Sequence, residues 1–506
     1  MPTLTRPHPL IADALALIAG ALMPLAFAPF GHWPLAILLP AVLLWSWQAA
    51  TPRRAALRGG LFGLGMFGFG IYWVYISLHD YGKAPAPFAA LATFLMVAVM
   101  ALYPTLVGWL LGRWAPPGPV RWLLVFPALW ALLDWIRSWL LTGFPWLAVG
   151  YSQIDTPLGQ LAPYLGVFGI GWAVLFSAGL LLAILHAPDG RRRLMWLGLL
   201  GGLWLGAWGL GTMHWGEPAG PPLRVALVQG NIAQDMKWQP EFLDQTLENY
   251  IQHSLPEHGR SEVIIWPETA IPAFYQEVAP LLEVLGEKAR QDRVDYLIGL
   301  PTGSWETKIF HNSVLGIGQA IGFYHKRRLL PFGEYLPLRG LLLFFRNWVA
   351  IPMADFLPGE RDQPLLRAGG QPVGLSICFE AVFGSEIRLA LPEATWLINL
   401  SNDAWFKDSL APHQHLQIAR MRALESARYM ARATNTGISA LIDERGRIVI
   451  RGSLFQAEVV RGELQPLRGA TPYVRLGDWP ALSLMVLSLL SGLMSVRRKR
   501  ATPHER

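Results

Sequence analysis

Three residues in this sequence stand where reactive groups are useful. Glu268, Lys326 and Cys378 each lie at the end of a short apolar run with strand character, and Cys378 is the only cysteine among 506 residues. A strand end that opens on a shared crevice suits a reactive group, so Cys378 could act as a nucleophile. Taken singly, Cys378 also fits a small buried hydrophobe, Glu268 a surface carboxylate, and Lys326 a solvated cluster with its two arginine neighbours.

The composition predicts that part of the chain lies in a membrane. The chain is 53% hydrophobic, contains 23 tryptophans and has only 15% charged residues, which is too apolar for an ordinary soluble protein. The net charge of +7 comes from basic residues beside apolar runs, which favours membrane orientation over nucleic-acid binding. A single cysteine excludes an internal disulfide, so a domain outside the cytoplasm would be held together by packing alone.

Eight apolar segments have about the 17–25 residues needed to cross the hydrocarbon core of a bilayer. They are Leu10–Ala28, Trp33–Ala49, Gly59–Leu78, Phe88–Leu111, Val120–Leu141, Leu165–Leu185, Leu194–Met213 and Pro480–Val496. We therefore predict a seven-helix transmembrane domain over 1–213, an extramembrane domain over 214–479, and an eighth transmembrane helix with a basic tail over 480–506.

The basic residues between these segments predict the orientation. Five groups fall on one side if the eight helices alternate: Arg6, Arg53 to Arg58, Arg113 with Arg121, Arg191 to Arg193, and the tail 497–500. The three short loops on the opposite side contain only one lysine or arginine, Lys83. By the positive-inside rule both termini are cytoplasmic and region 214–479 is on the other side of the membrane.

Two charged residues lie inside the fifth apolar segment. Asp134 and Arg137 are three positions apart, so they share one face of a helix. Charges at membrane depth are costly and often functional. We favour the alternative that these two pair with each other and hold the bundle.

Region 214–479 alternates β-rich runs with helical ones, which indicates a mixed α/β domain. The predicted strands are Leu223–Val228, Val263–Trp266, Tyr296–Leu300, Asn312–Ile317, Ile321–His325, Val373–Ile377, Trp396–Leu400, Gly437–Ile442 and Arg447–Ile450. The predicted helices are 242–251, Ala279–Asp292 and Gln414–Arg432.

The order Glu268, Lys326, Cys378 resembles the carbon–nitrogen hydrolase (nitrilase) superfamily. With the eight-helix frame, nearly the whole chain resembles the apolipoprotein N-acyltransferase family of Gram-negative bacteria. The motifs that carry the resemblance are Val228–Asn231, Trp238, Trp266–Thr269, Lys326 with Pro331–Glu334, Cys378–Glu380, Ser401–Phe406 and Thr142–Trp146. The residue after the cysteine is commonly aromatic in that family and often Tyr; here Phe379 keeps the ring and lacks the hydroxyl.

This resemblance implies a membrane helical bundle that carries an αββα nitrilase-like sandwich in the periplasm. It implies an enzyme of the bacterial inner membrane that transfers an acyl chain from a phospholipid to the N-terminal cysteine α-amine of a diacylated apolipoprotein, with a Glu268–Lys326–Cys378 triad. The transfer completes a triacylated lipoprotein. No metal or organic cofactor is expected, and nothing in the sequence demands more than a monomer.

Physical chemistry supports those three roles. The thiol and carboxylate differ by about four pKa units, which opposes proton transfer by roughly 5–6 kcal/mol. Burial of the carboxylate narrows this gap, and Lys326 as a neighbouring cation is expected to lower the pKa of the thiol and stabilise an oxyanion. Cys378 would then hold the acyl group as a thioester in a ping-pong reaction. Glu334 is expected to orient Lys326 or Glu268, and Glu380 to support the pocket.

An amine acceptor requires a site that excludes water, which points to residues at the bilayer surface. The insert Leu341–Val349 is too short to span and ends in Arg and Trp, so it would either dip into the lipid or pack on the domain. The predicted substrate-binding residues are Trp238, Phe379, Trp405, Phe344, Phe345 and Trp348. His413 and His415 are expected to be surface residues before a helix.

Three other interpretations fit parts of the sequence. A membrane-tethered nitrilase-like amidohydrolase would use the same triad with water as acceptor, but it does not need eight helices. A transporter with a regulatory domain would need more polar residues in the spans than Asp134 and Arg137. A Cys–His dyad with His413 or His415 would leave Glu268 and Lys326 unexplained.

Overall fold

The computed structural model describes residues 8–304, 306, 308–335 and 356–501. The chain forms two compact units. One, the helical unit, contains the chain up to Tyr72, Ala90–His214 and the part from Leu476 onward. The other, the α/β unit, contains Trp73–Ala89 and Trp215–Arg475.

Each of the eight predicted apolar segments contains a helix. The helices are α1 (Pro9–Leu22), α2 (Leu35–Ser46), α3 (Pro52–Gly70), α4 (Trp73–Ile76), α5 (Ala86–Trp114), α6 (Phe126–Arg137), α7 (Ala162–Leu185), α8 (Gly190–Leu210) and, at the end of the chain, Trp479–Ala501. Among the described residues, three helices are long and apolar enough to cross a membrane, or four if the bent pair Pro52–Gly70 and Trp73–Tyr81 is one span. The helices are therefore confirmed, and the eight crossings stay a prediction.

Small residues let α1 and α3 of the helical unit pack in direct contact. A Cβ added at Gly20 of α1 would lie 2.0 Å from the carbonyl oxygen of Phe62 on α3, so only glycine permits this approach. The predicted pair inside the fifth segment is confirmed, because the buried Arg137 donates to Asp134 Oδ1 at 2.8 Å. Arg137 also donates to the carbonyl oxygen of Trp146, which fixes the chain after α6.

The α/β unit contains strands and helices in alternation. Its strands are β1 (Glu217–Pro218), β2 (Leu223–Gln229), β3 (Val263–Ile265), β4 (Asp295–Ser304), β5 (Ile309–Ile317), β6 (Gly322–His325), β7 (Arg367–Ala368), β8 (Gln371–Ile377), β9 (Trp396–Ser401), β10 (Met430–Thr434), β11 (Ala440–Ile442), β12 (Ile448–Arg451), β13 (Glu458–Leu464) and β14 (Leu467–Arg468). Its helices after α8 are α9 (Leu243–Ser254), α10 (Tyr275–Asp292), α11 (Gly384–Arg388), α12 (Leu410–Ser426) and α13 (Pro472–Leu476); the terminal helix Trp479–Ala501 is α14.

Twelve of the described strands form two six-stranded sheets that face each other, and β1 pairs with β14 in a separate two-stranded sheet. The first sheet has the order β13-β2-β3-β4-β5-β6, and the second has the order β12-β11-β10-β9-β8-β7. Apolar side chains of both sheets, such as Val225, Ile265, Val373 and Ile398, share one fully buried core. Helices α9 and α10 cover the outer face of the first sheet, and α11 and α12 cover that of the second. The predicted αββα sandwich is therefore confirmed.

The predicted helix Gln414–Arg432 is wrong at its C-terminal end. Helix α12 ends at Ser426, and Ala427 takes a left-handed conformation with φ of 50°. The chain then enters β10, which runs parallel to β9. Every residue of β10 is buried, as in a central parallel strand, so its apolar positions continued the helical spacing by coincidence.

Candidate active site

The carboxyl ends of strands in the two sheets bring the three predicted residues into one site. Glu268 follows β3 and Lys326 follows β6 of the first sheet, whereas Cys378 follows β8 of the second. The Lys326 ammonium lies 3.4 Å from Glu268 Oε1 and 2.9 Å from Glu334 Oε1. The charges of Glu268 and Lys326 both act on the Cys378 thiol.

Glu268 is held at both carboxylate oxygens and at its main chain. Oε1 accepts from the Asn312 side chain at 2.8 Å, and Oε2 accepts from the backbone N–H of Asn402 at 2.9 Å. The Glu268 carbonyl accepts from the Lys237 ammonium at 3.1 Å. A Cβ at Gly299 on β4 would lie 2.8 Å from Glu268 Cα, so only a glycine lets β4 approach the backbone of Glu268 this closely.

Glu334 and Asn312 complete the surroundings of Lys326. The Asn312 amide donates to Glu268 Oε1 and to Glu334 Oε1, both at 2.8 Å, and so bridges the two carboxylates. Glu334 Oε2 is fixed by the backbone N–H of Leu330 at 2.7 Å. Burial alone would lower the pKa of Lys326, but the charges of Glu334 and Glu268 outweigh it and hold the pKa above its usual value. Lys326 is therefore a fixed cation.

Cys378 has a strained backbone and a thiol that is neutral at rest. Its φ is 49°, a left-handed conformation that costs a residue with a Cβ about 1–2 kcal/mol. Burial raises the pKa of the thiol, and the charge of Glu268 raises it further. Lys326 lowers this pKa, as the sequence predicted, but its effect is smaller than that of burial.

A buried polar network holds the main chain of Cys378. Its carbonyl oxygen accepts from Asn399 Nδ2 at 3.4 Å and from His415 Nε2 at 3.2 Å. Asp403 contacts His415 Nδ1 at 3.0 Å and accepts from Arg432 Nη2 at 2.7 Å. Burial would raise the pKa of Asp403, but Arg432 and His415 outweigh it and hold the pKa well below its usual range.

His415 is a correction to the sequence analysis. The prediction of a surface position before a helix is wrong, because His415 lies within α12 and is only 2% exposed. Its ring contacts the carbonyl oxygen of Cys378, which is a structural contact and gives no support to a Cys–His dyad. His413 also lies within α12 and is partly buried.

Glu380 connects the two sheets directly beside the site. Its carboxylate is fully buried and accepts from the backbone N–H groups of Arg327 (2.7 Å), Arg328 (3.1 Å) and Ile377 (2.7 Å), and from the Tyr324 hydroxyl (2.9 Å). One carboxylate thus fixes the residues that follow Lys326 and the residue that precedes Cys378. Burial raises the pKa of Glu380 above its usual value, while the backbone hydrogen bonds from Ile377 and Arg328 and the neighbouring positive charges oppose the shift.

Three of the six residues predicted to bind substrate, Trp238, Phe379 and Trp405, lie in the described part of the chain, and their role in binding stays a prediction. Trp238 is partly exposed, and Phe379 is buried with its ring edge-on to Phe383 at 5.0 Å. The ring of Trp405 packs on Tyr81 at 5.8 Å, within the α/β unit. Phe344, Phe345 and Trp348, with the rest of the predicted insert Leu341–Val349, lie outside the described residues.

Several residues around the triad were missed by the sequence analysis as site residues. They are Lys237, Asn312, Asn399, Asp403 and Arg432. Two of them could have been found from the sequence: Asn312 is a polar residue at the start of an apolar strand, and Lys237 directly precedes Trp238. Arg432 was hidden because its strand was assigned to a helix.

The arrangement brings together a thiol, a carboxylate and a fixed cation, of which the carboxylate and the cation are buried. That set suits the attack of a thiol on an ester or amide carbonyl, with proton transfer to the carboxylate. Within the described ranges, no group of three or more His, Cys, Asp or Glu side chains is arranged to bind a metal ion.

Comparison with known proteins matches both parts of the chain. The Apolipoprotein N-acyltransferase N-terminal domain family matches residues 19–180, and the Carbon-nitrogen hydrolase family matches residues 224–473. The chain is 48% identical to the apolipoprotein N-acyltransferase of Methylococcus capsulatus, over 98% of both chains. It is 43% identical to that of Nitrosomonas europaea, over 94% of this chain and 96% of the relative. It is 42% identical to that of Azotobacter vinelandii, over 97% and 96%.

Proposed function

Because the chain belongs to the apolipoprotein N-acyltransferase family, it is an acyltransferase that acts on lipoproteins, and we propose that Glu268, Lys326 and Cys378 carry out the transfer. The observation that carries this proposal is the buried cluster of Lys326 with Glu268 and Glu334, in which the charges of Glu268 and Lys326 act on the single thiol of the chain. The donor is a phospholipid and the acceptor is the α-amine of the N-terminal cysteine of a diacylated apolipoprotein.

The first half-reaction forms a thioester. Glu268 takes the proton from Cys378 Sγ as the sulfur bonds to the carbonyl carbon of the phospholipid ester. Lys326 stabilises the oxyanion that forms on the carbonyl oxygen. The bond from that carbon to the glycerol oxygen then breaks, and Glu268 returns the proton to this oxygen, so that a lysophospholipid leaves.

The second half-reaction releases the acyl group to nitrogen. The α-amine attacks the thioester carbonyl, and Glu268 takes a proton from the nitrogen. The carbon–sulfur bond breaks and the proton passes to Cys378, which regenerates the thiol and leaves an amide. Because burial keeps the pKa of Cys378 high, the free enzyme holds a neutral thiol, and the base must act in the same step as the nucleophile.

Glu334 and Asn312 act on Lys326 and Glu268 rather than on substrate. Glu334 lies closer to the ammonium than Glu268 does, at 2.9 Å against 3.4 Å. It therefore neutralises Lys326 while Glu268 exchanges protons. The Asn312 amide keeps the two carboxylates at fixed positions despite their like charges.

We further propose eight transmembrane helices, cytoplasmic termini and a periplasmic α/β unit in the bacterial inner membrane. The distribution of basic residues supports this orientation. Because the chain has one cysteine, Cys378→Ala provides a cysteine-free background. In it, Lys83→Cys should react with a membrane-impermeant maleimide from the periplasmic side, and Arg191→Cys only after permeabilisation. The reverse pattern would overturn the orientation.

Intact-protein mass tests the mechanism. Incubation with phospholipid alone should add one acyl group that hydroxylamine removes and that Cys378→Ala lacks. A diacylated lipopeptide with a free α-amine should then discharge the adduct, whereas its N-acetylated form should not. Absence of any adduct in folded protein would contradict the triad. Hydrolysis of a small amide without lipid would support the amidohydrolase alternative, which the family relationship does not favour.

A further inference from the structure

Lys237 is a buried lysine beside the triad that the mechanism above does not use. It is only 3% exposed, and in the described part of the chain its ammonium has a single hydrogen-bond acceptor, the Glu268 carbonyl at 3.1 Å. An ammonium carries three N–H donors, and burial of a charge with one neutral acceptor is costly. Structural packing alone gives no reason to place a lysine here.

The two lysines of the site have opposite surroundings. Lys326 lies against two carboxylates, whereas Lys237 contacts a neutral carbonyl. Burial lowers the pKa of Lys237 to about 8, while the charges of Glu268 and Cys378 act to raise it. Before the thiol ionises, the site contains two cations, Lys237 and Lys326, and two anions, Glu268 and Glu334. Loss of the Cys378 proton to solvent would leave the cluster with one excess negative charge if Lys237 is protonated, and with two if the positive charge of Lys237 were absent.

The loop that carries Lys237 is fixed to the site. This loop follows β2, and the side chain of Gln234 accepts from Asn402 Nδ2 at 2.8 Å. The backbone N–H of the same asparagine binds Glu268 Oε2. Lys237 N donates to the carbonyl of Ala233 at 3.0 Å, which closes the turn before the lysine. Asn402 therefore helps to position both the loop that carries Lys237 and the carboxylate of Glu268.

We propose that Lys237 is a positioning residue of the acyl transfer, which holds the main chain of Glu268 and supplies a positive charge that stabilises the negative charge developing on Cys378 Sγ as its proton leaves. It acts through Glu268 and through the electrostatic field at the sulfur, without contact to the ester. This proposal rests on the proposed function for its role in catalysis. The effect on the thiol, however, can be measured without lipid.

Alkylation of the single cysteine by iodoacetamide tests the proposal on the full-length enzyme in detergent. Intact mass gives the rate from about pH 6 to 10 for the wild type, Lys237→Met and Lys237→Arg. Below about pH 8, where Lys237 is charged, loss of that charge should make the reaction about tenfold slower, as if the rise in rate had moved upward by about one pH unit. The difference should shrink above that pH, where wild-type Lys237 loses its proton. Lys237→Arg, which keeps the charge, should restore most of the rate.

Lys288→Met is the matched control, because this lysine is half exposed and pairs with Asp292 on α10, outside the site. It should leave the alkylation profile unchanged. An unshifted profile in folded Lys237→Met would overturn the proposal and leave the lysine a structural role. If Lys237→Met does not fold, a profile for Lys237→Gln that matches the wild type would overturn it equally.

The same variants separate this proposal from the proposed function. Lys237→Met should lower kcat for acyl transfer about tenfold with little change in KM, since it does not contact substrate. A shifted alkylation profile in an enzyme that transfers no acyl group would contradict the proposed function and keep the assignment of Lys237. Normal acyl transfer in Lys237→Met with an unshifted profile would contradict only the assignment.

Discussion

The two sheets hold their halves of the active site in different ways. The first sheet carries Glu268 and Lys326, which are fixed through their side-chain charges and through Asn312. The second carries Cys378, whose main-chain carbonyl is fixed by Asn399 and His415. Charged groups that exchange protons must be positioned by other polar groups, whereas a nucleophile must be positioned by its backbone. Substitutions in the first half should therefore alter rates, and those in the second half, apart from Cys378 itself, should alter stability.

The largest expected effect is that of Glu268→Gln. The amide has nearly the same shape but cannot take the thiol proton, so acyl transfer should fall by about 10³-fold. The melting temperature should fall by less than in Asp403→Asn, because Lys326 keeps Glu334 as a carboxylate partner. Glu262→Gln, on a partly exposed residue that pairs with Arg224, is the control for loss of one carboxylate. A large loss of stability in Glu268→Gln with residual activity would erase the distinction between the two halves.

Asp403→Asn tests the second half. The change leaves Arg432 buried without a carboxylate partner, and such a loss typically costs about 3–5 kcal/mol. For a domain of this size we expect a fall in melting temperature of about 6–12 °C, measured by differential scanning fluorimetry. Folded variant protein at low temperature should keep much of its acyl-transfer rate. A stable variant with no thioester would show instead that Asp403 acts on the chemistry.

Asn312→Leu should have a smaller effect on rate. It removes two hydrogen bonds to carboxylates, each worth about 1.5–3 kcal/mol when charged groups are involved. Because part of this loss falls on folding, we expect a decrease in kcat of about 10–100-fold. Steady-state kinetics should show little change in KM. A change confined to KM would place Asn312 in substrate binding.

Stability at acid pH should report the Asp403 pair. The folded state holds the pKa of Asp403 below its usual value, so the unfolded chain binds the proton more tightly. Its stabilisation is complete above the ordinary value of about 3.9 and declines as the pH falls below it towards the folded pKa. The difference in melting temperature between wild type and Asp403→Asn should therefore shrink below about pH 4. If that difference stayed constant with pH, ionisation of Asp403 would be excluded as the source of the stabilisation.

The smallest expected effect is that of Phe379→Tyr. The ring is buried against Phe383, and the added hydroxyl has the size of one water molecule. We expect activity within about threefold of the wild type, since neither half of the site relies on a hydroxyl here. A larger change in either direction would indicate that this ring contacts substrate.

The sequence predicted those features that depend on local pattern. Apolar length located the helices, alternating β-rich and helical runs indicated the α/β unit, and Glu268, Lys326 and Cys378 were found at strand ends. It could not show that Asn402, 134 positions after Glu268, would donate its backbone N–H to that carboxylate. Contacts of this kind depend on how the sheets stack, which no local spacing encodes. Arg432 was missed because the strand that contains it was predicted as helix, since a fully buried strand and a buried helical turn have similar composition.

The segment Trp73–Ala89 has a consequence for how the protein is made. It leaves the ribosome between two apolar helices, yet it belongs to the α/β unit, where Trp73 Nε1 donates to Gln414 Oε1 at 3.2 Å. The carbonyl that accepts from Ser77 lies 328 positions later in the chain. Folding of the α/β unit during synthesis therefore cannot finish before most of the polypeptide exists. An isolated fragment that begins at residue 214 would lack a part of its own fold.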